Sequence, residues 1–228
     1  MENVSIFTII MFILTTIASI WLFYIASDEN KKVVLLILLW AIGVGALGLL
    51  GFYQKTDTIP PRFIFLLAPG FLVVLLLFLT KKGKQFIDSL DLKWLTLIHV
   101  VRIPVEVVLH AVFLSGLIPV YMTFEGYNFD IISGITAPIV YYLVFVKKTW
   151  GRRFLLFWNF LCLALLINIL TIAILSAQTP FQQLAFDQPN IGVTYFPFVW
   201  LPAVIVPIVL FSQLAAIRKL VLEKHSVA

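Results

Sequence analysis

His99 to Met122 reads HVVRIPVEVVLHAVFLSGLIPVYM, a long apolar run with His99, Arg102, Glu106 and His110 set inside it. At about 100° per residue, these four fall within roughly 80° of one helical face, so they form a single polar stripe. Ionisable groups are costly inside an apolar helix, and such a stripe must face protein or water rather than lipid. That makes it the first place to look for function.

Outward from this stretch the chain stays apolar. Of its 228 residues 62% are hydrophobic and 12% charged, and the mean hydropathy is +1.07. No water-soluble fold could bury so much apolar side chain, so an all-α integral membrane protein is expected. Seven segments reach membrane length or nearly so: 4–25, 33–53, 63–80, 94–122, 131–146, 154–175 and 195–217. They take up almost every residue, which leaves one transmembrane domain over 1–228 and no room for a soluble catalytic domain. The net charge is +5, but the basic residues lie in short loops between spans. This is a topology signal and points away from nucleic acid as a partner. The start, MENV, has no basic flank, so the first span is expected to be retained.

Charge bias orients the seven spans. Lys31, Lys32, Lys81, Lys82, Lys84, Lys93, Lys147, Lys148, Arg152, Arg153, Arg218, Lys219 and Lys224 fall on one side, with Lys55 and Arg62 opposite. The amino terminus is then outside and the carboxyl terminus cytoplasmic. The compact form resembles that of many short bacterial inner-membrane proteins. Gly43, Gly45, Gly48 and Gly51 spell G-x-G-x-x-G, but inside an apolar span they predict close helix packing rather than a dinucleotide site. KKGKQFIDSLDLK (81–93) predicts a short amphipathic stretch at the interface. Pro197, Pro202 and Pro207 predict a bent last helix.

Arg102, Glu106 and His110 are spaced i,i+4, which makes a relay along one face available. Glu106 is the candidate to take a proton or cation, with His110 exchanging protons toward the outer acids Glu125 and Asp130. The competing expectation is a buried Arg102–Glu106 pair that only orders the bundle. His99, Arg102, Glu106, His110, Asp130 and Asn168 form the candidate ligand-binding set, and Glu106 and His110 the candidate acid–base pair. No metal or cofactor is expected. His99 lies ~16 Å along the axis from His110, and the two share one helix, so a bis-histidine haem between helices is excluded. Single Cys162 excludes a thiolate-rich metal site.

Seven spans with an outside amino terminus superficially resemble a microbial rhodopsin. That family would need a lysine in the last span, however, and Tyr195 to Ile217 has none. The leading expectation is a transporter or channel for a proton, an ion or a small molecule, gated partly by the bent seventh helix. The alternatives are an intramembrane enzyme acting on a lipid or isoprenoid, with the 178–194 loop as a lid, and a membrane sensor or assembly subunit. The lipid bilayer is the one partner every reading requires.

Overall fold

The computed structural model describes residues 4–56 and 58–222; Lys224 and the opening Met1–Asn3 lie outside them. The chain is helical over 73% of its length, with no strand among the described residues. Five helices are long and apolar enough to cross a membrane, six if one sharply bent pair counts as a single span.

Helix α1 (Ile6–Ala26) starts where Ser5 Oγ accepts the Thr8 N–H at 3.1 Å, and α2 (Lys31–Leu49) where Asn30 Oδ1 accepts that of Val33 at 3.3 Å. Each cap satisfies one of the donors that a helix start leaves free. Helix α3 (Ile64–Leu79) turns by 92° into α4 (Lys81–Ser89). The bend needs Gly83, because a Cβ there would lie 2.2 Å from the Leu77 carbonyl oxygen. So the basic amphipathic stretch becomes a helix set across α3.

The central span, Leu92–Leu114, is built from α5 (Leu92–Leu97), a 3₁₀ turn at Ile98–Val101, and α6 (Arg102–Leu114). The turn directly precedes Pro104, which has no N–H for the Val100 carbonyl, so the helix tightens there. The span ends at Leu114 rather than at Met122. Ser115 closes α6, and Gly116 (φ +78) takes the left-handed turn that follows it. Helix α7 (Ile131–Tyr141) continues as a π turn to Val146, α8 covers Arg152–Leu175, and a π turn at Leu201–Ile205 leads into α9 (Val206–Leu222). The last span thus begins near Leu201 instead of Tyr195, and the second ends at Leu49 instead of Tyr53, because 3₁₀ and turn segments replace the expected helix ends.

The last helix is the hub. Its most apolar window is 67% buried, against 50% for Leu92–Leu114 and 22% for α2, which sits at the periphery. Pro207 has no N–H for the Ala203 carbonyl, and Trp40 Nε1 of α2 donates to that oxygen instead at 2.9 Å. In return Trp200 Nε1 donates to Ala41 O at 2.8 Å. Gly45 and Gly48 permit this approach, since a Cβ on Gly48 would stand 3.1 Å from Val199, whereas Gly43 faces open space.

Side-chain contacts gather the basic loops at one end of the bundle. Lys219 Nζ donates to Asp88 O at 2.8 Å, Arg152 donates to Leu220 O, and Asp91 N–H donates to Ala26 O at 2.9 Å. At the opposite end Gln188 Nε2 donates to Ile118 O at 2.6 Å, and Gly192 N–H to Leu117 O at 2.7 Å.

Candidate functional site

Arg102 begins α6 at the middle of the central span and is almost fully buried. Its Nη1 donates to Asp130 Oδ1 at 2.5 Å and to the Cys162 carbonyl at 3.3 Å, while Nη2 donates to Gln213 Oε1 at 3.3 Å. One guanidinium therefore ties together α6, the start of α7, α8 and α9. Gln213 passes the connection on, its Nε2 donating to Asn159 O at 2.7 Å and Oδ1 at 2.8 Å. Asn159 Nδ2 donates in turn to Leu155 O at 2.8 Å. A buried charge is tolerable only when it is paired and hydrogen-bonded, and here both Nη atoms are engaged while Nε is buried without a partner.

Gly134 makes the pairing reachable. A Cβ there would lie 2.9 Å from the Ile103 backbone nitrogen and 2.8 Å from Ile103 Cγ1, so only glycine lets α7 come close enough for Asp130 to meet Arg102. Asp130 occupies the first position before α7, yet it makes no cap hydrogen bond to its own helix. Its carboxylate is turned to Arg102.

The expected Arg102–Glu106 pair is therefore replaced. Glu106 Oε1 instead accepts from Asn128 Nδ2 at 2.5 Å, and that same amide nitrogen donates to Met122 O at 3.0 Å. Asn128 Oδ1 accepts the Asp130 N–H at 3.1 Å, so Asn128 joins the two acids. The second oxygen of Glu106, Oε2, is buried with no hydrogen-bond partner.

Glu106 lines a cavity of about 70 Å³ whose walls are otherwise largely apolar, including Leu109, Leu166, Leu170 and Pro202. That exceeds several times over the roughly 10–15 Å³ that one water centre needs. A cleft of similar size at the end away from the basic loops is lined by Tyr53, Lys55, Gln178, Thr194 and Tyr195. The two share Phe63 and Asn190 in their walls. Asn190 Nδ2 donates to Ala173 O at 3.1 Å, and its Oδ1, like Glu106 Oε2, is buried without a partner. Two residues of this cavity wall, Glu106 and Asn190, thus each carry an unpartnered oxygen.

The remaining candidates are dispersed. His110 Nε2 lies 3.0 Å from Glu125 Oε1, and its ring stacks on Phe124 at 4.7 Å. It meets Glu125, one of the two acids expected to exchange protons with it, and it does not line the Glu106 cavity. His99 is fully buried in the 3₁₀ turn, edge-on to Trp158 at 5.7 Å, with both ring nitrogens unpartnered. Asn168 is exposed on α8, donating to Tyr127 O at 2.8 Å, away from the stripe. Among the described residues no three His, Cys, Asp or Glu side chains gather as a metal-binding group. Gln213, Asn128, Asn159 and Asn190 join the site without any motif to mark them. Gln213 carries the clearest signal, as an amide deep in the last apolar span.

Residues 59–221 match the family described as a domain of unknown function, DUF8737. The chain belongs to that family. No curated protein and no solved structure matches. The family region contains the whole Arg102 cluster, Glu106, Asn128 and Asn190. Helices α1 and α2 fall before it, as do Tyr53 and Lys55 of the cleft.

Proposed function

We propose that this protein is a seven-span transporter or conductor for a proton or small cation in a bacterial inner membrane. Glu106 is its acceptor, and its amino terminus lies outside. The observation that carries the reading is buried Glu106, its Oε2 unpartnered, in the wall of a cavity that shares Phe63 and Asn190 with the neighbouring cleft. A largely apolar chamber with the carboxyl residues Glu106 and Asp130 and the amide of Asn190 in its wall recognises a species that brings donors or positive charge, such as a hydrated proton, a small cation or an amine. Asp130 shares the cavity wall with Glu106, and its partners Arg102, Gln213 and Asn159, which do not line the cavity, serve as the inner seal. Passage would require that seal to rearrange, and the π turns and prolines of the last helix are the pliant element beside it. The gathering of basic loops at one end of the bundle supports the orientation, and counting the bent α3–α4 pair and Ile131–Val146 as spans gives seven.

The test is flux into liposomes holding a pH-sensitive dye, and separately a small-cation indicator, with wild type and Glu106→Gln side by side. Gln retains an oxygen for Asn128, so the fold is preserved. A loss of at least about tenfold with unchanged thermal unfolding is the expected result. Equal flux from the two proteins would sink the reading.

A further inference from the structure

Helices α2 and α3 stand apart on the outside of the bundle. The groove between them has a volume of about 560 Å³. It is lined by Leu36 and Trp40 of α2, Val73 and Leu77 of α3, Phe86 of α4, and floored by Phe211 of α9. On α3 its lining runs from Pro69 to Leu77, a depth of ~12 Å at 1.5 Å per residue. Half of the ~30 Å hydrocarbon core is ~15 Å. The groove therefore matches one leaflet and is too shallow for a helix that crosses both.

Its mouth is basic. Lys32 stands four residues before Leu36 on α2, and Lys82 four before Phe86 on α4, so each continues a groove-lining helical face by one turn toward the loops. Lys31, Lys81 and Lys84 lie beside them, and all five lysines are exposed. Asp28 and Glu29 are the acids in the adjoining turn, which leaves the mouth cationic. The right-angle turn of α3 into α4 sets these lysines across the end of the groove.

We propose that this groove binds one anionic phospholipid of the leaflet at the basic end, an acyl chain lying between α2 and α3 and the phosphate held by Lys32 and Lys82. The site is separate from the Glu106 cavity and stands or falls independently of transport.

The experiment is native mass spectrometry of the full chain released from nanodiscs of equal phosphatidylglycerol and phosphatidylcholine. Wild type is expected to retain one phosphatidylglycerol in preference. Lys32→Gln/Lys82→Gln should lose that preference by about fivefold for each lysine removed, while Lys32→Arg/Lys82→Arg should keep it. Val73→Trp, which fills the groove and leaves the lysines in place, should abolish retention of the lipid. Inorganic phosphate added in its stead should not compete. Equal retention of both lipids, retention unaffected by Val73→Trp, competition by free phosphate, or a cross-linked second copy in the groove would each overturn the proposal.

Discussion

Arg102 Nη1 stands 2.5 Å from Asp130 Oδ1, 28 residues further along the chain, while Glu106, one turn away on its own helix, is held by Asn128. The pair lies almost wholly out of water, so removing one partner strands the other charge. Arg102→Leu and Asp130→Asn are each expected to cost about 3–5 kcal/mol of stability, and Arg102→Leu/Asp130→Leu less than the two singles summed. Thermal unfolding in detergent checks this. Single variants that melt with wild type would show that the pair does not hold the bundle.

The close approach of α7 gives a second prediction. At Gly134 a Cβ would meet Ile103, and at Gly43 it would meet nothing within 4 Å. Gly134→Val should destabilise by about 1–3 kcal/mol through overpacking. Gly43→Ala should be neutral, or stabilise by up to about 1 kcal/mol through lower chain entropy. The same melts read out both, and the contrast between them is the result to look for.

The exchanged indole hydrogen bonds between α2 and α9 differ in what they leave behind. Trp40 serves the carbonyl of Ala203, which Pro207 cannot, so Trp40→Phe strands an acceptor and should cost about 1–3 kcal/mol. Trp200→Phe removes a bond to Ala41 O, which has an intrahelical donor in reach, and should cost about 0.5–1.5 kcal/mol. Reversal of this order in denaturant or thermal melts would contradict the assignment.

Asn190, in the wall of both chambers, makes a prediction about the proposed flux. If ions pass between the chambers there, Asn190→Leu removes the polar group on that path and should lower transport as far as Glu106→Gln does, on the order of tenfold or more. Asn190→Asp, which keeps an oxygen at this position, should retain at least half of the wild-type rate. Liposome flux measured beside the unfolding temperature separates blockage from misfolding.

The apolar segments mark out the long helices, the amphipathic stretch at 81–93 marks out α4, and the polar stripe marks out the central span, because helix length and hydropathy are local quantities. Pairing is not local. From the sequence, i,i+4 spacing made Glu106 the natural partner of Arg102, but the geometry was decided by Gly134, which draws α7 against Ile103 and brings Asp130 inward. The same limit hid Gln213 and Asn159, each an amide in a separate span whose mutual contact depends on how α8 and α9 pack. Asn168 shows the converse: polar residues inside an apolar span need not face the interior, and this one turns outward to a loop carbonyl. Span ends shifted where proline and glycine change the backbone, at Ser115–Gly116 and before Leu201, which hydropathy alone does not register.

In the proposed conductor the Arg102 cluster would divide the bundle electrically. With the cleft and the Glu106 cavity open to the outside solution, as that reading requires, the solution would act as a conductor reaching close to mid-membrane and compress the transmembrane field into the thickness below Arg102. A charge travelling from the cleft to Glu106 crosses little of the roughly 2.3 kcal/mol per 100 mV that a full crossing carries. The step past Arg102 takes nearly all of it. Voltage should therefore scarcely alter occupancy at Glu106 and should act on the opening of the arginine seal.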